Sequence, residues 1–99
     1  MYTFYEDPGH GWLRVLIAEL AELGIQNEIT SYSYRDDQYV YLEEDSDLDT
    51  FLKKKFPAIE ERKEFMTKCE NIYHEDSWIR NLDRYYPLKF NSSALSHLN

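Results

Sequence analysis

The chain has 99 residues, of which 42% are hydrophobic and 16% aromatic, with three Gly and three Pro. That is material for one packed core over 1–99, and it excludes a linker or a low-complexity chain. The formal charge of −8 is uneven: residues 1–49 hold twelve acids against Arg14 and Arg35, a net of −10, and residues 50–99 hold seven acids against nine bases, a net of +2. Such a field disfavours direct nucleic-acid binding by the N-terminal half and suits contact with a basic surface.

Tyr2-Thr3-Phe4-Tyr5 is aromatic and β-branched and predicts a first strand. Asp7-Pro8-Gly9-His10-Gly11 then breaks the chain, with Pro8-Gly9 suited to the centre of a type II turn that needs φ > 0 at the glycine. A strand at 12–15 is expected to pass into a helix at about 17–23, where Leu16, Leu20 and Leu23 recur at helical spacing and Gly24 supplies the stop. Residues 29–34 and 39–42 flank Arg35-Asp36-Asp37-Gln38 with period-two aromatics, which predicts a β-hairpin. Asp45 or Ser46 caps the helix that follows; it carries Leu48, Phe51, Leu52 and Phe56 and stops at Pro57. A weaker amphipathic helix is expected from Ile59 to about Tyr73, then a short helix or ordered arm over 77–86, and a frayed tail from about 91.

These elements predict an α+β fold: a small antiparallel sheet with a central hairpin at about 29–42, packed against two or three helices. The expected core is Phe4, Trp12, Leu20, Leu23, Leu42, Leu48, Phe51, Leu52 and Phe65. No apolar run reaches the roughly 18 residues that would span a membrane. The start, Met1 to Asp7, lacks a basic, then apolar, secretory signal. A single cysteine, Cys69, makes no disulfide or thiolate cage, so a reducing cytoplasm is the expectation. Cys69 has no nearby histidine to activate it and reads as a small core residue.

Two motifs invite chemistry. Asp7-Pro8-Gly9-His10-Gly11 resembles the start of zinc-dependent cell-wall amidases, in which the histidine binds metal. The match covers five residues, and no glutamate follows at the spacing that class needs, so His10 reads as a turn residue. In Glu43-Glu44-Asp45-Ser46-Asp47-Leu48-Asp49, alignment to a calcium loop puts Thr50 where glycine is wanted and Phe56 where a bidentate glutamate is wanted. The acids read instead as a helix start or a patch for a basic partner. No metal, cofactor or catalytic residue is expected.

The candidate site is therefore a binding surface made of Tyr32, Tyr34, Asp36, Asp37, Tyr39, Tyr41, Glu43, Glu44, Asp45 and Asp47. Tyrosines supply contact area at low entropy cost, and the carboxylates supply steering. Read together, Asp7 to Leu13, Ser31 to Tyr34, Val40 to Asp45 and Ile79 to Tyr85 form a pattern that resembles a group of short bacteriophage and mobile-element proteins. The resemblance implies an infected bacterial cytoplasm, and by build and charge an inhibitor of host defence of the anti-CRISPR kind. The partner implied is a host protein or protein–nucleic-acid complex with a basic surface, with no direct nucleic-acid binding and no membrane. Two other readings stand beside it: a small metal-dependent hydrolase using His10 with Asp7 or Glu6, and a phage assembly protein that forms a homo-oligomer.

Overall fold

The computed structural model describes residues 1–87; the tail expected to fray from 91 lies outside the described residues. The chain forms, in order, β1 (Thr3–Glu6), β2 (Gly11–Leu16), α1 (Ile17–Leu23), β3 (Tyr34–Arg35), β4 (Tyr39–Glu43), α2 (Asp47–Lys55), α3 (Ile59–Lys68), β5 (Glu70–Tyr73), a 3-10 turn (Trp78–Asn81) and β6 (Asp83–Arg84). The strands make one six-stranded sheet in the order β5-β1-β2-β4-β3-β6, so the α+β class is as the sequence predicts.

Neighbouring strands are antiparallel except β1 and β5, which run parallel with Tyr5 opposite Ile72. The expected second amphipathic helix is thus shorter than predicted: it ends at Lys68, and Glu70 to Tyr73 become an edge strand. Cys69, Ile72 and Tyr73 fit a helical spacing, but the parallel edge of β1 offers them a full ladder, with Glu70 N donating to Tyr2 O and His74 N to Glu6 O.

The predicted hairpin is corrected on its first arm. Only Tyr34–Arg35 pair with β4, and residues 29–33 are irregular chain with a turn at 31–32. The reason is Asp47, fully buried at the start of α2. Its carboxylate accepts from Thr30 N, Thr30 Oγ1 and Ser33 Oγ, which bends this segment away from the ladder. Ser46 stands at the cap of α2 but makes no capping hydrogen bond through its side chain.

The tight turn 7–10 is also not the type II turn expected at Pro8-Gly9. Among the described residues Gly24 alone has positive φ, at 72°, where it closes α1. The Asp7 carboxylate holds the 7–10 turn instead, accepting from Gly9 N at 2.9 Å and His10 N at 2.8 Å.

Strand alternation sends two different sets of side chains to the two sheet faces. The first face carries Phe4, Leu13, Val15, Val40 and Leu42 beneath the helices, where Leu20, Leu48, Phe51 and Leu52 complete an aliphatic core. Leu23 and Phe65, predicted for the core, pack against it only partly buried. Cys69 is buried in the same layer. The second face carries Tyr5, Trp12, Tyr34, Tyr39 and Tyr41, and among the described residues the segment around Ile79 covers it. Among the described residues no helix is long and apolar enough to cross a membrane.

Candidate functional site

The second sheet face holds the site. In register, Trp12 on β2 lies opposite Glu43 on β4, and Tyr41 on β4 lies opposite both Arg14 on β2 and Tyr34 on β3. Tyr34 in turn lies opposite Arg84 on β6. Trp78 closes one side of this face edge-on, its ring 5.4 Å from Tyr5 and 5.3 Å from Tyr41.

Arginines dress the aromatic row. Arg14 sits 4.5 Å over Tyr39, Arg80 5.3 Å over Trp12, and Arg84 5.1 Å over Tyr34. Arg80 is further fixed to Asp7, with Nε at 2.9 Å from Oδ2 and Nη2 at 3.2 Å from Oδ1. These hydrogen bonds from the guanidinium, with those of Gly9 N and His10 N, hold the Asp7 carboxyl at about 2, against the opposing effect of burial. The 3-10 turn is thereby pinned across the mouth of the β1–β2 turn.

Where β2, β4 and β3 end together, a cleft of about 350 Å³ opens, lined by His10, Trp12, Tyr32, Tyr34, Glu43, Asp45, Ser46, Arg80 and Arg84. Tyr32 is 68% exposed at its rim. Trp12 is almost fully buried, and its indole Nε1–H has no hydrogen-bond partner among the described residues. Burial pushes the Glu43 carboxyl up, and Asp45 and Asp47 add to that, although Asp45 N donates to its Oε1 at 2.7 Å.

The residues predicted for the binding surface divide into three groups. Tyr32, Tyr34, Glu43 and Asp45 meet in the cleft. Asp37 and Glu44 are exposed outside it, and Tyr39 lies half-buried two rows along the same face. Asp36, Tyr41 and Asp47 are structural. Asp36 accepts from Gln38 N, Tyr39 N and the Tyr41 hydroxyl. Burial alone would raise the Asp36 carboxyl, but those bonds and Arg14 outweigh it and lower it. Tyr41 is buried, and desolvation and the Asp36 bond push its hydroxyl well above the ordinary range.

Sequence reasoning missed Arg80, Arg84 and Trp12 as parts of the site. The available signal was the interleaving of cations with aromatics from Trp78 to Tyr86. The hydrolase reading meets a different arrangement: both Asp7 oxygens are taken by Arg80 and by backbone N–H groups, and His10 is exposed. Among the described residues no three His, Cys, Asp or Glu side chains converge on a point that could hold a metal. Comparison with family models, curated proteins and solved structures gives no match.

Proposed function

We propose that this chain is a non-catalytic binding protein, an inhibitor or adaptor that docks on a partner with a basic surface. In the phage setting that the sequence resembles, the partner is a host protein or a protein–nucleic-acid complex. The supporting observation is the corner where β4 turns into α2. Glu44 and Asp45 are exposed there without a cation partner among the described residues, and Asp45 shares the cleft mouth with the exposed ring of Tyr32. Of the cations nearby, Arg80 is paired with Asp7, and Arg84 donates Nη1 to the backbone Ser31 O at 2.8 Å. Exposed carboxylates beside an exposed tyrosine give steering and contact area at one place.

The test is the pair Glu44→Lys with Asp45→Lys, which spares the buried Glu43 and Asp47. Affinity capture from a bacterial lysate at low and at moderate salt is run with both proteins. The unaltered protein should retain a basic partner whose capture weakens with salt, and the reversed protein should lose it. Equal capture of that partner by both would remove this corner from the interface.

A further inference from the structure

We infer that the outer edge of β5 pairs with the same strand of a second copy of this chain, antiparallel about a two-fold axis at Ile72, so that two sheets join into one. Strands β1 and β2 separate this edge from β4 and the acidic corner, so the inference goes beyond partner docking and does not rest on it.

The backbone sets the register. Strand β5 ends the sheet, with Glu70 N donating to Tyr2 O and His74 N to Glu6 O. Alternation along the strand therefore turns the N–H and C=O groups of Asn71 and Tyr73 outward, where no hydrogen bond reaches them among the described residues. Strand β5 has neither the proline nor the lysine that commonly blunts a sheet edge. Against the same edge of a second copy, one antiparallel register pairs all of these groups. Asn71 of each copy exchanges both bonds with Tyr73 of the other, and Ile72 meets Ile72 at the axis.

In that register the side chains are self-complementary. Glu70 lies opposite His74 of the second copy on either side of the half-buried Ile72, which packs against the cluster of Tyr5, Trp12, Tyr41 and Ile79. Lys68 and Asp76, each four residues from Ile72, bring opposite charges together at both ends. No like charges stand opposite one another from 68 to 76. A parallel mate in the same register would set Glu70 against Glu70, which disfavours open stacking of copies. Tyr73, 60% exposed, gains cover from Asn71 of the second copy. This complementarity within one segment is what selects a second copy over an unrelated strand. A four-residue edge lies at the small end of interfaces, so the dimer is weak, with Kd on the order of 10–100 µM.

Sedimentation equilibrium of the purified full chain, over concentrations that bracket this Kd, tests the pairing. Salt of about 0.15 M screens the repulsion between two chains of net charge −8. The protein should pass from monomer to dimer and no further, and amide exchange at Asn71 and Tyr73 should slow as the dimer forms. His74→Glu should weaken the dimer roughly tenfold, because symmetry places two like-charge pairs at the axis. Glu70→Lys should weaken it too, and the double variant Glu70→Lys with His74→Glu should restore it. Both positions are exposed, so melting curves should barely move. Tyr73→Pro removes an outward N–H, spares the bonds to β1 and should abolish the dimer. If Tyr73→Pro unfolds, the charge variants carry the test. A monomer at every concentration overturns the inference, as does assembly beyond the dimer. So does a dimer that the folded variants leave untouched, or one that the double variant fails to restore.

Discussion

Asp7→Asn isolates the charge that pins the 3-10 turn to the sheet, because an asparagine can still accept from Gly9 N and His10 N through Oδ1. The Asp7 carboxyl is held at about 2 against an ordinary 3.8, first by the Arg80 guanidinium and then by the two backbone N–H groups. A depression of that size corresponds to about 2.4 kcal/mol. The Arg80 side chain is 45% exposed and solvent screens it, so the loss expected for Asp7→Asn at neutral pH is about 1–2 kcal/mol. For a chain of this length that is a fall in Tm of roughly 4–12 °C. Because the folded carboxyl lies below its unfolded value, the contribution is complete above about pH 5 and declines as pH falls through 3.8 toward 2. About half of it should be gone by pH 3. Urea unfolding of both proteins at pH 7, 5 and 3 measures this. The two curves should be well separated at pH 7 and 5 and draw together at pH 3. Coincident curves at pH 7, or a gap that does not narrow at pH 3, would refute the assignment of Asp7 and Arg80 as a stabilising pair.

Asp47→Ala should cost about 2–4 kcal/mol, because it takes the acceptor from the buried Ser33 hydroxyl and from the half-buried Thr30 N and hydroxyl; chemical denaturation checks it. Gly11→Ala should cost about 1–3 kcal/mol, since a Cβ there would lie 2.5 Å from Phe4 Cζ and 2.9 Å from Glu44 Oε2. Gly9→Ala should be nearly silent in the same melting experiment: its nearest contact is 3.6 Å away and its φ is not positive. Tyr41→Phe should lose about 1 kcal/mol with the Asp36 bond at neutral pH. The unaltered protein should also lose stability as pH rises past 10, because the raised Tyr41 hydroxyl favours the fold only while the unfolded phenol is protonated, and Tyr41→Phe should flatten that alkaline limb.

What could be read from the sequence was what neighbouring residues decide. The β2-to-α1 switch at Leu16, the αL glycine at 24 and the stop of α2 before Pro57 are local signals, and each stands where predicted. The polar turn at Asp36 was legible because a polar loop between aromatic strands suits an aspartate that caps its own turn, here three residues before β4. The losses are non-local. Strand β5 exists because β1 has a free parallel edge, which nothing in Glu70-Asn71-Ile72-Tyr73 declares. The first arm of the hairpin shortened because Asp47, read as one more acid at a helix start, is buried and claims Thr30 and Ser33. In the candidate site the tyrosines were visible by their alternation. The arginines over their faces, Arg14 on Tyr39 and Arg84 on Tyr34, come from distant segments, and only the fold brings them in.

The two faces of the sheet divide the tasks. The helix-covered face gathers fully buried aliphatic residues such as Leu13, Leu20, Val40 and Leu42, whose removal from water is the main source of stability. Among the described residues the aromatic face is covered chiefly by the four-residue 3-10 turn, held by Ile79, by Trp78 edge-on and by the Asp7–Arg80 pair. That face buries Tyr5, Trp12, Tyr41 and Ile79 as a second, smaller core, yet it keeps Tyr32 exposed, leaves the Trp12 N–H without a partner among the described residues and holds Glu43 desolvated beside an open cleft. These are costs to folding, and native chains concentrate such costs at functional sites. Tyr32→Ala and Arg84→Ala at the cleft should therefore leave Tm within about a degree or two, whereas Leu13→Ala on the other face should cost about 2–5 kcal/mol.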